Sequence, residues 1–448
     1  MDGRVAEHLN NRRRQTGPRE KGGFHMVQGK WTRLVVVLVA LVLVAAMATT
    51  AGAQSRVRLT VWGRDLPDDD PAHAYIREVV TTFQAKNPDI ELEYIALGDP
   101  GIQDKVKVSM ATNTDLPDIF QTWGGSTMGG YADAGRLLDL TEELESIPTS
   151  AAAKAAMSWK GKTYGVAPFF AIAGVYVNEG LFESLGLTVP TTLQEMEEVA
   201  DKLLAAGYQP FALGARDKWP ALATYMYLVN RYGGMEAFAD AQARRARFDS
   251  EPFVQAALKY QEWVEKGYFG PTPLGEAYGD AQLLMATGIA GMHVTGSWMN
   301  AQYSDPGFTD QTLGFYPFPL LPGGKGKITD VMGQTDIGFA ATWVAADKKD
   351  AVVRFMKHLM DPEVIAAEPG RISSVPGVVA PSRLTQMAAD VFAQAEAVQF
   401  WWDQDLPPNI TTPLNDTILK FFLPGADVRQ ALAEFEELAE EVMGPAAR

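Results

Sequence analysis

Strand and helix periodicities alternate along the chain from Val57 onward, and this order restricts the fold more than any other feature. Val57-Arg58-Leu59-Thr60-Val61-Trp62 alternates and then turns apolar, with Gly63 expected to stop it. A helix pattern runs through Tyr75, Val79, Val80 and Phe83 until Asn87-Pro88-Asp89. Ile90 to Ile95 alternates again, a helix covers about 103–111, and Leu116 to Phe120 reads as a third short strand. Strands interleaved with helices predict α/β architecture with a largely parallel sheet.

Further helices carry their own start and stop signals. Thr192-Leu193-Gln194-Glu195 is a capping box, and Leu193, Met196, Val199 and Leu203 form its apolar stripe until Gly207. Pro220 opens a helix expected to end at Gly233-Gly234. Asp347 to Met360 is closed by Asp361-Pro362, and Asp427 to Val442 is the last helix, with Val428, Ala431, Leu432, Phe435, Leu438 and Ala439 on one face. These stripes are core.

The 448 residues allow about two to three domains, each with its own core. No cysteine is present, which removes disulfides, zinc-thiolate sites, iron–sulfur clusters and cysteine nucleophiles together. With 39 Lys+Arg against 55 Asp+Glu the chain is acidic, unlike a nucleic-acid binder with its basic face.

Leu34 to Met47 is an unbroken apolar run, preceded by Lys30 and Arg33 and followed by the small-x-small Ala51-Gly52-Ala53. That is the pattern of a secretory signal peptide cleaved after Ala53. The run is shorter than the roughly 18–20 residues of a spanning helix. Residues 1–25 are polar and hold Arg12-Arg13-Arg14 away from the apolar run, so Met26 is the expected start. No Cys follows the run to take a lipid, and the exported protein is expected free in the periplasm. Residues 1–53 hold eight Lys/Arg and three Asp/Glu, so the mature part keeps 31 basic against 52 acidic residues, a charge of −21.

Catalytic and cofactor motifs are scarce. His73, His293 and His358 lack metal-ligand spacing, and no EF-hand loop is found. No Walker loop, dinucleotide glycine pattern or G-x-S-x-G elbow occurs, and glycine-rich 123–130 lacks the phosphate-loop lysine. A glycosidase needs only two placed carboxylates, which composition does not exclude.

Tryptophan placement is more informative. Trp62, Trp123, Trp219, Trp298 and the Trp401-Trp402 pair fall at ends of strands, starts of helices or in loops, whereas Trp159, Trp263 and Trp343 sit inside regular patterns and are expected in the core. In open α/β sheets ligands lie beyond the carboxyl ends of the strands. An indole there can stack on a sugar's C–H face while carboxylates and amides take its hydroxyls.

Several motifs in order complete the picture: VRLTVWG, FQAKNPDIELEYI, KVKVSMATNTDLPDIFQTWGG, GGYADAGRLLDLT, AQLLMATGIAGMHVTGSW and ADKKDAVVRFMKHLMDPEV. From about Arg56 to Met443 the chain resembles an extracellular solute-binding protein of an ABC importer, in the carbohydrate-binding group that includes maltose-binding protein. The resemblance implies a two-lobed α/β fold with discontinuous lobes joined by a hinge and the ligand in the cleft. Lobe one would hold 54–169 and 331–383, and lobe two 174–328 and 384–448. The chain would cross near Phe169-Phe170-Ala171 and return near Gly314 to Pro317. Matching positions imply ligand contacts at Arg64, Asp65, Trp123, Gly124, Gly125, Trp219, Trp298, Asp336, Trp402, Asp403 and Gln404. The implied role is non-catalytic, without a cofactor: a monomer that binds a carbohydrate and delivers it to permease subunits in the inner membrane. A receptor for another solute, such as glycerol phosphate or a polyamine, and a secreted carbohydrate-active enzyme are the alternatives. An anionic ligand would call for a cluster of Arg or Lys, and only Arg64 stands in the cleft loops.

Overall fold

The computed structural model describes residues 56–64, 71–98, 101–368, 370–378 and 382–446. The apolar run, the Ala53 cleavage site and Asp65 lie outside the described residues. Ten strands form one sheet: β1 (Val57–Arg64), β2 (Ile90–Leu97), β3 (Ile119–Gln121), β4 (Gly165–Asn178), β5 (Gln209–Ala212), β6 (Ala290–Gly296), β7 (Leu313–Tyr316), β8 (Asp330–Ala341), β9 (Ile372–Ser373) and β10 (Ala397–Phe400). The main order is β2-β1-β3-β8-β4-β6-β5.

All fourteen residues of β4 are buried, and the strand serves two half-sheets in turn. Gly165 to Ile172 pairs with β8, and Ala173 to Asn178 pairs with β6 and β7. Because β4 runs against its neighbours and β8 runs against β3 and β4 while pairing in parallel with β10, the sheet is mixed rather than largely parallel. Four described pairings are parallel and five antiparallel. Parallel pairing survives within the halves, between β1 and its neighbours β2 and β3 and between β5 and β6.

The helices that position the site are α1 (Pro71–Lys86), α2 (Gly101–Thr112), α3 (Gly125–Asp133), α4 (Leu193–Ala205), α5 (Trp219–Gln242), α6 (Glu251–Glu265), α7 (Tyr278–Ala286), α8 (Lys349–Leu359), α9 (Trp402–Asp405), α10 (Pro408–Lys420) and α11 (Val428–Met443). Thr192 caps α4: its Oγ1 accepts from Glu195 N at 3.2 Å, and Glu195 Oε2 accepts from Thr191 N at 2.7 Å. Leu193, Met196, Val199, Ala200 and Leu203 bury the inner face. Helix α5 has the expected proline start, and its backbone breaks at Gly234 (φ 74°, ψ −176°) before helix resumes to Gln242.

One core lies around α1, β1 and α8, with Tyr75, Phe83, Phe339 and Phe355. A second gathers α4, α5, α6, α10 and α11. A third cluster runs from Trp62 and Phe120 to Met285 and Phe315.

Three local expectations fail for identifiable reasons. Gly63 does not end β1. It pairs with Ala96, and a Cβ there would meet the Tyr94 hydroxyl at 1.6 Å, so the glycine makes room for a ring crossing the strand. The third strand starts only at Ile119, because the Asp118 carboxylate accepts from Thr60 N at 2.8 Å and binds Lys348 Nζ at 2.8 Å. Trp343 is 44% exposed rather than core: it opens a 3-10 turn after β8 and donates from Nε1 to Asn113 Oδ1 at 3.0 Å.

Replacing Thr192 by Ala removes the side-chain acceptor of the cap and leaves the Glu195 bonds to the backbone, and we expect a loss of about 1 kcal/mol in urea unfolding, with the α4 packing retained.

Candidate functional site

Strands β5 and β6 pair in parallel, with β5 ending at Ala212 opposite His293 and β6 continuing three residues further to Gly296. Beyond β6 the chain turns at once into Trp298; beyond β5 it passes through a 3-10 turn to Trp219, the first residue of α5. The carboxyl ends of two strands thus deliver two indoles to one place. Their ring centroids are 5.8 Å apart. Tyr278, the first residue of α7, lies 4.6 Å from Trp219. Trp401 lies 5.4 Å from Trp298 and 6.5 Å from Trp219. Trp298 Nε1 donates to the Tyr278 hydroxyl at 2.7 Å, which shares a hydrogen bond with Thr295 Oγ1 at 2.9 Å. Burial pushes the Tyr278 phenol up to about 12, so it stays protonated at neutral pH. Trp219, Trp298 and Tyr278 are half-buried, while Trp401 is buried behind them.

Across from this cluster lie the ends of β1 and β3. Arg64 N donates to Gln121 Oε1 at 2.8 Å, tying the two strand ends together. Trp123 follows β3 and is half-buried against the Trp62 and Phe120 cluster. Gly124 and Gly125 take positive φ, 76° and 65°, and open α3. A Cβ would lie 2.2 Å from Ala156 O at the first and 2.9 Å from Gln404 O at the second, so neither position admits a side chain without displacement.

The segment 401–405 bridges the two groups. Trp401 N donates to Gly333 O of β8 at 3.1 Å. Gln404 O lies against Gly125 and accepts from Thr127 Oγ1 at 3.5 Å. Gln242 Nε2 donates to Asp405 O at 2.7 Å. Burial pushes both Asp403 and Asp405 up to about 6, with side-chain contacts from Asn415 and Gln404 at Asp403, and from Gln242 at Asp405, opposing the shift. Asp403 Oδ1 and Ser126 Oγ are buried without a hydrogen-bond partner. Glu276, just before Tyr278, is likewise raised, chiefly by burial.

The structure brings Trp219 and Trp298 together, and Gly125 with Gln404. It places two expected residues differently. Trp402 is buried, stacked on Phe238 at 4.5 Å and 4°, with Nε1 donating to Gln399 Oε1 at 2.9 Å. Asp336 is buried in an ion triad, with Arg371 Nε at 2.7 Å from its Oδ2 and Arg371 Nη1 at 2.9 Å from Glu368 Oε2. Trp62 lies inside β1, buried, with Lys105 Nζ 4.3 Å from its ring centre. Trp263 is core, stacked on Phe211. His293 is also core: Nδ1 pairs with the Tyr303 hydroxyl at 2.8 Å, and burial lowers the imidazole to about 3. Tyr278 and Trp401 join the cluster without being among the expected contact positions, though the Trp401-Trp402 pair is singled out by its loop placement. Tyr278 shows the same signal as Trp219, an aromatic at a helix start.

The model for bacterial extracellular solute-binding proteins matches residues 69–366. An uncharacterized ABC transporter extracellular-binding protein of Pyrococcus horikoshii is 26% identical over 251 residues, 53% of this chain and 55% of that protein, so the match spans about half of the relative's length. The multiple sugar-binding protein of Streptococcus mutans is 23% identical over 296 residues, 63% of this chain and 68% of its own. A solved chitin oligosaccharide binding protein superposes with a TM-score of 0.78 at 24% identity, covering 86% of this chain and 98% of its own. The likeness to that structure establishes the two-lobed α/β fold.

Two predictions follow from the side-chain environments. Trp402→Ala empties a closed core site and is expected to cost about 3–5 kcal/mol in chemical unfolding, while Trp298→Ala costs less than half as much. The raised carboxyl groups also carry a pH signature. An aspartate held near 6 when folded and near 3.8 when unfolded keeps its proton in the folded state between about pH 4 and 6, so its stabilising effect is full below pH 4 and lost as pH rises through 6. Asp403→Asn should therefore raise unliganded stability at pH 8 by on the order of 1–2 kcal/mol, with no gain at pH 4. Equal melting shifts at both pH values would contradict this.

Proposed function

The chain belongs to the bacterial extracellular solute-binding proteins, and from that premise we propose that it is the substrate-binding component of an ABC importer for a sugar or oligosaccharide. The observation that carries this reading is the cluster of Trp219, Tyr278, Trp298 and Trp401 at the carboxyl ends of β5 and β6. Indole faces stack on the apolar face of a sugar ring, and the acceptors on Asp403 and Glu276 suit its hydroxyls. The family places the protein outside the cytoplasm, and no helix among the described residues is long and apolar enough to cross a membrane.

The finer reading is a soluble monomer without catalysis, cleaved after Ala53, not lipidated and free in the periplasm. Lobe one would comprise 54–169 and 331–383, and lobe two 174–328 and 384–448. The change of partner along β4 between Ile172 and Ala173 supports that division. Arg64, Trp123, Gly124 and Gly125 would contribute from lobe one, and Trp219, Tyr278, Trp298, Trp401, Asp403 and Gln404 from lobe two. Closure would desolvate the ligand and present the permease with a shape the empty protein lacks.

Titration with xylotriose, chitotriose, maltotriose and raffinose, read by tryptophan fluorescence and calorimetry, tests this. At least one should bind with a fluorescence change, and Trp298→Ala should weaken it about ten- to thirtyfold. Binding of spermidine or glycerol 3-phosphate with no response to any saccharide would overturn the carbohydrate reading. Hydrolysis of a bound saccharide would overturn the non-catalytic one.

A further inference from the structure

Helix α5 begins in the aromatic cluster and passes the point where β4 changes partners. From Trp219 it runs as regular helix to the break at Gly234. At about 1.5 Å per residue, Tyr227 and Arg231 stand roughly 12 and 18 Å further along. The Tyr227 hydroxyl donates to Ala173 O at 2.6 Å and accepts from Met332 N at 3.3 Å. Ala173 is the first residue of β4 to pair with β6, and Met332 adjoins Gly333, which pairs with Ile172. One hydroxyl therefore joins both crossing strands where they cross.

Arg231 holds the third piece of the crossing, the segment from Phe318 to Asp330 that leads from β7 to β8. Its guanidinium is fully buried and donates to the carbonyls of Pro319 at 2.8 Å, Phe318 at 2.7 Å and Lys327 at 2.9 Å. Its own carbonyl accepts from Lys325 N at 3.1 Å. Asn230 Nδ2 donates to Asp330 Oδ2 at 3.0 Å, which also receives Lys327 N at 2.9 Å. The Tyr227 and Phe318 rings stack at 4.7 Å and 3°, with the guanidinium carbon 5.3 Å from the first and 5.8 Å from the second. A short length of one helix thus touches β4, β8 and the return segment together.

We propose that Tyr227 and Arg231 are hinge-positioning residues and that α5 is the lever coupling occupancy at Trp219 to rotation of the two lobes. This rests on the binding-protein reading above. A rigid helix transmits a small displacement at its start, and a packed, hydrogen-bonded crossing answers by moving between discrete arrangements.

The absence of native cysteine makes a direct test clean. Lys107→Cys on α2 and Lys202→Cys on α4, both exposed, place fluorophores on opposite sides of the crossing for single-molecule energy transfer. The full mature chain is compared with its Tyr227→Phe variant, free and with each of the four oligosaccharides named above. The expected result is an altered open-to-closed ratio in the unliganded variant, by about threefold or more. Hydrogen exchange at the Met332 amide should accelerate about tenfold, with Ile119–Gln121 unchanged. Identical distance distributions in the two proteins overturn the proposal, and so does uniform acceleration of exchange, which marks a merely structural role. Should Tyr227→Phe not fold, Arg231→Lys is measured in the same way and decides by the same two outcomes. If the unmodified protein itself ignores every saccharide, the binding reading fails. If it responds and the variants match it, the hinge assignment alone fails.

Discussion

Strand β4 exchanges its antiparallel partner between Ile172 and Ala173, and the remaining architecture is arranged around that exchange. A strand buried on both faces for fourteen residues carries only two polar side-chain groups, the Tyr176 hydroxyl, which donates to Asn300 Oδ1, and Asn178 at its end. Phe169 packs edge-on against Tyr75, while its neighbour Phe170 stacks on Phe392 at 5.2 Å, so consecutive residues serve opposite faces of the sheet. Because β4 and β8 run against the strands they join, each half-sheet presents its parallel strands with their carboxyl ends toward the other. The candidate site residues accumulate there for reasons of topology: Arg64 and Trp123 at the ends of β1 and β3, Trp219 and Trp298 beyond the ends of β5 and β6.

What was legible in the sequence follows the range of the forces involved. Caps and breaks are local, and the Thr192 box, the Pro220 start and the Gly234 break could be read from a few residues. The aromatic cluster was half legible, because an indole at the end of a strand or the start of a helix marks the sheet's carboxyl edge. Within Trp401-Trp402 the choice depended on non-local packing. Trp401 sits in extended backbone just before α9, and the two side chains diverge: one joins Trp298 and the other enters the core against Phe238. Asp336 was opaque for the same reason, since its partner Arg371, which also holds Glu368, lies more than thirty residues away. Strand direction was misjudged because alternation of strands and helices reports the halves, and the two crossing strands carry no separate signal.

The distribution of buried polar groups differs between the aromatic cluster and the crossing. Near the aromatic cluster, Asp403, Asp405 and Glu276 are carboxyl groups raised by desolvation, and Asp403 Oδ1 lacks a partner. At the crossing the charged groups are satisfied, Arg231 by four acceptors, Asp336 and Glu368 by Arg371, and Asp330 by Asn230 and Lys327, while the neutral Thr335 hydroxyl of β8 is buried without a partner. An unsatisfied acceptor costs stability and gains it back when a hydroxyl arrives, as a binding surface requires. A satisfied network in a low-dielectric interior has directional minima, and an apolar contact of equal area could slide.

That contrast bears on how closure would work. A hinge made only of apolar side chains would allow a continuum of lobe angles, and binding energy would be dispersed over them. Hydrogen bonds from Tyr227 to both crossing strands and from Arg231 to the return segment permit only those angles at which their geometry is kept or wholly exchanged. Differential affinity can then be concentrated on one closed arrangement, which is the condition for a partner to distinguish loaded protein from empty. On this argument the polar groups at the crossing belong to recognition as much as the tryptophans do: the aromatics would set which ligand is held, and the crossing would set the shape in which it is offered.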